Sequence, residues 1–278
     1  MKQLFFLCFA LFLGSCAKST LPVYPANWTK NWPEDSKPSN FDTLSKVAYE
    51  VQRDDNNIYL HLSTKELASQ MRILRYGLTI SLDPTAQKKD KQSFTFPIAV
   101  PDSAARGFSG RPEGRGEGRE GNPNGEKPTA SPTPEQMQQR MLNRVYKRFS
   151  ERPKEIVIKG FEGIDKKTIT LGKDPSDIQV DLELGSDNTL NYYAVIPIKK
   201  FFGQNSNEKF SVGIVSGFMV MDENSGPPMG GGIGGGGGQP QMSEEDRAKR
   251  REFMMKTMEQ MTTPIEIWFN VDLKSGKK

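Results

Sequence analysis

The stretch "VAYEVQRDDNNIYLHLS", Val47 to Ser63, decides the fold. Val47, Tyr49 and Val51 alternate with Ala48, Glu50 and Gln52, and Ile58, Leu60 and Leu62 alternate with Tyr59, His61 and Ser63. Successive side chains of a strand point to opposite faces, so each run has one apolar and one polar face. Between them, "RDDNN" is turn chemistry, because short polar side chains bond nearby backbone. The unit reads as a β-hairpin with one face packed into a core.

The same pattern continues along the chain. Strands are expected at residues 46–52, 58–63, 76–82, 93–100, 155–161, 167–171, 178–184, 190–198, 209–220 and 265–273. A parallel α/β fold needs a helix at each crossover, and these are missing. About ten strands with few helices predict a mainly β protein, an antiparallel β-sandwich. One short helix over 65–74 fits a connection.

Two stretches break the alternation. Residues 104–134 contain "GRPEGRGEGREGNPNG" (Gly110 to Gly125), and residues 226–240 read "GPPMGGGIGGGGGQP". Neither carries enough apolar surface to offset its ordering entropy, so both are expected to be disordered inserts. Each leads into a helix. Thr133 (N-cap), Pro134 (N1) and Gln136 (N3) start one over 134–150, with Met137, Met141, Val145 and Phe149 at i+4 steps. Ser243 followed by Glu244, Glu245 and Asp246 starts another over 243–261, with Phe253, Met254, Met258 and Met261 as a looser apolar stripe.

The chain opens with Lys2 and an apolar run from Leu4 to Leu13. About ten residues cannot span a bilayer, which needs about 20, but they suit the h-region of an export signal. Leu13-Gly14-Ser15-Cys16 resembles the lipobox of bacterial lipoproteins. That resemblance implies diacylation of the Cys16 thiol, cleavage that leaves Cys16 first, and acylation of its amine. Residues 1–15 are then a signal peptide, 16–27 a lipid-anchored tether and 28–278 a single sandwich domain. Cys8, the other of the 2 cysteines, leaves with the signal, so the mature chain holds no disulfide. Ala17 and Lys18 follow the lipidated position with no aspartate, which points to the outer membrane.

Composition narrows the partners. Net charge is +4, and the arginines of the first insert alternate with glutamates around one aromatic, Phe108. That is a solvated polyampholyte and not a nucleic-acid stripe. Gly116 to Gly121 spells G-x-G-x-x-G, but no strand precedes it, so it cannot aim a helix N-terminus at phosphate.

"VAYEVQRDDNNIYLHLSTKE", "ILRYGLTISLD", "SFTFPIAV", "YYAVIPIKKF" and "IEIWFNVDL" together resemble lipoproteins of Gram-negative bacteria. Their domain is similar to the family 9 carbohydrate-binding module and DOMON-like sandwiches. The resemblance covers about half the chain and rests on structural motifs. It implies the fold, and Tyr193 stands where the family pattern carries a glutamate. The module's ligand-binding aromatics are not matched residue by residue, so sugar binding is not carried over with the fold.

Candidate chemistry is sparse. His61, the one histidine, reads as a surface or second-layer residue, since no G-x-S-x-G accompanies it. Asp54, Asp55, Asn56 and Asn57 offer oxygen ligands to calcium or form a polar hairpin turn. No metal, cofactor or catalytic set is assigned. The aromatics remain: Trp268 falls on the polar face of the last strand, and Trp28 and Trp32 follow the tether. Each is either a platform for a sugar ring or a covered side chain. The sequence therefore reads as a non-enzymatic envelope lipoprotein, anchored through Cys16, with a binding or accessory role and glycan as one candidate ligand. The rival readings are a structural or protein-docking component and a hydrolase.

Overall fold

The computed structural model describes residues 21–33, 36–99, 133–161, 165–172, 178–202, 208–220 and 243–276. The signal peptide, Cys16 and nearly all of both low-complexity runs lie outside these residues. In chain order the elements are β1 (Val23–Pro25), β2 (Asn27–Trp28), β3 (Asn40–Asp42), β4 (Val47–Arg53), β5 (Asn57–Thr64), α1 (Leu67–Tyr76), β6 (Leu78–Asp83), β7 (Gln92–Thr95), α2 (Pro134–Ser150), β8 (Glu155–Lys159), β9 (Lys167–Thr170), β10 (Gln179–Leu184), β11 (Leu190–Pro197), α3 (Ile198–Phe202), β12 (Lys209–Ser216), α4 (Glu244–Met261) and β13 (Glu266–Asp272).

The strands form two sheets that face each other as a sandwich. One has the order β1-β13-β12-β6-β7-β8-β9; the other runs β10-β11-β5-β4-β2, with β3 also paired to β4. The inward faces are the alternating apolar sets. Val47, Tyr49, Val51, Ile58, Leu60 and Leu62 of the opening hairpin are all buried. They meet Ile80, Leu82, Phe94, Phe210, Ile214, Ile267 and Phe269 from the other sheet in one continuous core. Each such side chain stabilises the fold by about 1.5–3 kcal/mol through burial.

All ten expected strands are present, and three more precede them. β1, β2 and β3 are only two or three residues long, too short to carry a period-two signal. They also change the topology. β1 pairs parallel with β13 and β2 pairs parallel with β4, so both sheets are mixed and not purely antiparallel. The sandwich also starts earlier than residue 28. Val23 to Trp28 is built into the sheet edges, and Ala26 is fully buried, which shortens the expected tether over 16–27.

Helix α2 begins as its sequence predicts. Thr133 Oγ1 accepts from Gln136 N (3.3 Å) while Gln136 Oε1 accepts from Thr133 N (3.1 Å), a reciprocal cap. Helices α2 and α4 both pack against α1, which also rests on β6 and β12. This explains why Leu67 to Leu74 are all buried, including the polar Ser69, Gln70 and Arg72. Those three are satisfied by backbone. Gln70 Nε2 donates to Thr64 O (2.9 Å) and Asn188 O (2.6 Å), Ser69 Oγ donates to Ser45 O, and Arg72 donates to Ala68 O and Thr263 O. Among the described residues no helix is long and apolar enough to cross a membrane.

Candidate functional site

The outward face of the β10-β11-β5-β4 sheet carries a row of polar and aromatic side chains. Strand register lines up Asp181, Tyr193, His61 and Glu50 in one row across four strands. On one side lie Gln179, Val195, Tyr59 and Gln52; on the other lie Glu183, Asn191, Ser63 and Ala48. Between β2 and β3, the described residues 29–33 and 36–39 supply a strap over this face, through Trp32 and Ser36. Trp32 of the strap stacks on Tyr59, with ring centroids 4.9 Å apart and planes at 23°. It stands nearly perpendicular to Tyr193 (6.0 Å, 85°) and to His61 (6.3 Å, 87°). The result is an aromatic corner, with Trp32 as a wall and Tyr193 as a floor tilted over His61 at 4.4 Å.

Hydrogen bonds fix this corner. Asp54 accepts from the Tyr59 hydroxyl (2.6 Å) and from the backbone N–H groups of Asn56 (2.7 Å) and Asn57 (2.6 Å). Burial alone would raise the Asp54 carboxyl, but these bonds outweigh it and hold its pKa below the ordinary value. Burial, helped by the bond to Asp54, pushes the Tyr59 phenol up to about 12. The Asp54–Asn57 segment is thus a self-bonded hairpin turn. Among the described residues no group of three His, Cys, Asp or Glu could hold a metal ion. Burial raises the Tyr193 pKa, assisted by the charges of Glu183 and Asp181.

His61 is the second-layer residue of the two expectations, only 5% exposed beneath Trp32. Its Nδ1 lies 2.7 Å from Ser36 Oγ and its Nε2 lies 3.3 Å from Asn191 Oδ1. The one Ser36 hydroxyl proton has two acceptors in reach, Glu50 Oε2 (3.3 Å) and His61 Nδ1, and the tautomer of the ring decides which takes it. Burial pulls its pKa below the ordinary value, and the Asn191 bond only partly offsets this.

A serine beside a histidine is the start of a nucleophilic pair, which the sequence did not reveal. The surroundings oppose that chemistry. Glu50 Oε2 sits 3.3 Å from Ser36 Oγ and takes the Lys37 N–H at 2.9 Å. An oxyanion forming beside Ser36 would meet a carboxylate, and the adjacent backbone donor is already engaged. Ser36, His61 and Glu50 fasten the strap.

The three candidate tryptophans do not converge. Trp268 lies on the outward face of the other sheet, as alternation predicts. Its indole lies against Gly213, where an added Cβ would come within 2.6 Å of the ring. Lys88 Nζ covers it 5.6 Å from the ring centroid. Stacking a ligand there requires Lys88 to swing away. Helix α4 packs on α1. Trp28 pairs in register with Arg53 at the sandwich edge, where the Arg53 guanidinium sits 5.3 Å from its ring.

Among the described residues, Trp32 is the one of the three that meets other aromatic rings. Its companions Tyr59, Tyr193 and Asn191 were not singled out from sequence. Their outward position was legible from alternation, but the pairing of β5 with β11 and the path of the strap were not. A separate cavity of about 240 Å³ lies between Phe96–Ala99 and Phe149–Glu155. None of its lining residues belongs to the corner, and its mostly apolar lining is edged by Arg152 and Glu155. The lipidation position Cys16 lies outside the described residues. Comparison with known proteins finds no family model, no curated protein and no solved structure that matches the chain.

Proposed function

We propose that this chain is a non-enzymatic, lipid-anchored protein of the bacterial envelope that binds carbohydrate at the Trp32 corner. The anchor rests on the Leu13-Gly14-Ser15-Cys16 motif behind the apolar run. The binding reading rests on one observation: Trp32 and Tyr193 meet at 85° on a face that also carries Asp181, Glu183 and Asn191. A sugar ring presents a C–H face and a rim of hydroxyls. The aromatic face of Trp32 turned away from Tyr59 suits the first, and the carboxylates and amide suit the second.

Calorimetric titration with a panel of envelope and plant oligosaccharides tests it. Trp32→Ala is expected to lower affinity at least about tenfold, the effect of losing about 1.4 kcal/mol, while Trp268→Ala leaves affinity unchanged. Binding that survives Trp32→Ala and is lost with Trp268→Ala would move the site to the other sheet. A panel with no binder would favour the protein-docking reading.

A further inference from the structure

The turn after β3 presents an apolar side chain that the fold does not use. Leu44 is 92% exposed, Phe41 beside it 55%, and Val23 on β1 52%. Leu44 is not loose. Ser45 N and Oγ both donate to Asp42 Oδ2 (2.6 Å each), Thr64 Oγ1 donates to Lys46 O (2.8 Å), and Ser69 Oγ donates to Ser45 O. Ser45 itself is buried. The neighbours on both sides are tied down, and the leucine between them is held out into solvent.

The N-terminal strands show which way this end faces. β2 runs parallel to β4, with Trp28 opposite Arg53. Four residues earlier, Tyr24 packs against Tyr49, four residues before Arg53, with ring centroids 5.9 Å apart and hydroxyls 3.3 Å apart. From Tyr24 to Trp28 the chain therefore runs in the same direction as β4, with Val23 on the facing sheet toward the Tyr49 end of that strand. The first described residues, Leu21 and Pro22, therefore lie toward the end of β4 where the Leu44 turn stands. Seven peptide steps separate Cys16 from Val23, a reach of at most about 25 Å.

We infer that the Phe41–Lys46 turn is a bilayer contact, with Leu44 and Phe41 entering the headgroup boundary of the membrane that holds the Cys16 anchor. This rests on the lipoprotein reading above. An anchored chain makes the second contact intramolecular, so a weak apolar touch suffices. Lys46 is exposed beside Leu44, and Lys65 nearby is paired with Asp187 (2.9 Å), so the contact is apolar more than electrostatic. It also orients the site. Tyr59, beneath Trp32, pairs with Gln52, six residues up β4 from Lys46, which places the aromatic corner about 20 Å above the turn.

The experiment uses the full acylated chain. With Cys8 removed and Cys16 acylated, Leu44→Cys supplies a single thiol for an environment-sensitive dye. Asp55→Cys, in the turn at the opposite end of β4, is the control. Both are reconstituted in phosphatidylethanolamine–phosphatidylglycerol vesicles with and without nitroxide lipid. The Leu44 dye is expected to shift to the blue and to be quenched several-fold more than the Asp55 dye. Equal, solvent-like emission from both sites would overturn the inference. So would a blue shift seen in native membranes but not in these vesicles, which would mark a protein partner. Mass spectrometry of the same samples tests the anchor separately: an unacylated Cys16 that takes the dye would overturn the lipoprotein reading itself.

Discussion

Trp32 and Trp268 are both half-buried and both stand on outward faces of the two sheets, yet their surroundings differ. Trp268 belongs to a strand. Its neighbour across β12 is Gly213, so the indole lies down on its own sheet and Lys88 closes over it. Trp32 belongs to a strap over a sheet. It rests on Tyr59 and abuts His61 and Tyr193, so it stands one side-chain layer above the strands. A strand residue opposite glycine is drawn into the surface. A strap residue resting on large side chains is lifted off it, and only the lifted ring makes a wall.

The largest effect should separate neighbours on one strand. Phe269 is 1% exposed and packs on Tyr49 at 4.9 Å. Phe269→Ala is expected to cost about 3–5 kcal/mol, and Trp268→Ala about 1 kcal/mol, both read by urea unfolding. A reversed order would mean that the outward face of β13 is the packed one.

Next comes the contact that lays Trp268 flat. Gly213→Ala puts a Cβ 2.6 Å from the indole. It should cost about 1–3 kcal/mol and shift Trp268 emission to the red in a protein whose other tryptophans are replaced by phenylalanine. Unchanged emission would show that the ring does not depend on the glycine.

The strap has its own test, in pH. The folded state holds His61 neutral with a lowered pKa, whereas the unfolded chain titrates near 6.5. Below about pH 6.5 the unfolded state binds a proton that the folded state resists. Stability is therefore full above that value and falls as pH drops toward the folded pKa, by at most about 1.4 kcal/mol per pH unit. His61 is the single histidine, so His61→Gln should flatten the slope between pH 6.5 and 5.5. Equal slopes in the two proteins would remove His61 from the fastening of the strap. The smallest effect belongs to the lid on Trp268. Lys88→Ala removes a cation–π contact and a 3.5 Å ion pair with Glu266, both exposed, and should cost no more than about 1 kcal/mol.

Ten of the thirteen strands, and their faces, were legible in the alternation of the chain. The alternation of Val47, Tyr49 and Val51 and of Ile265, Ile267 and Phe269 named the core, because a pleated strand has a period of two and one face must leave water. The cap at Thr133 and Gln136 was also local chemistry, readable in four residues. Only the tertiary structure decided which strands pair, and that made the site. Tyr193 meets His61 across 132 residues of chain through the β5–β11 ladder, and Ser36 reaches His61 across 25. It also decided that β1 and β2 join the sheets in parallel, and that α1 is buried between two helices from the inserts. Those outcomes depend on contacts between segments far apart in sequence. Periodicity reports which face of a segment is apolar, but it carries no information about which other face will cover it.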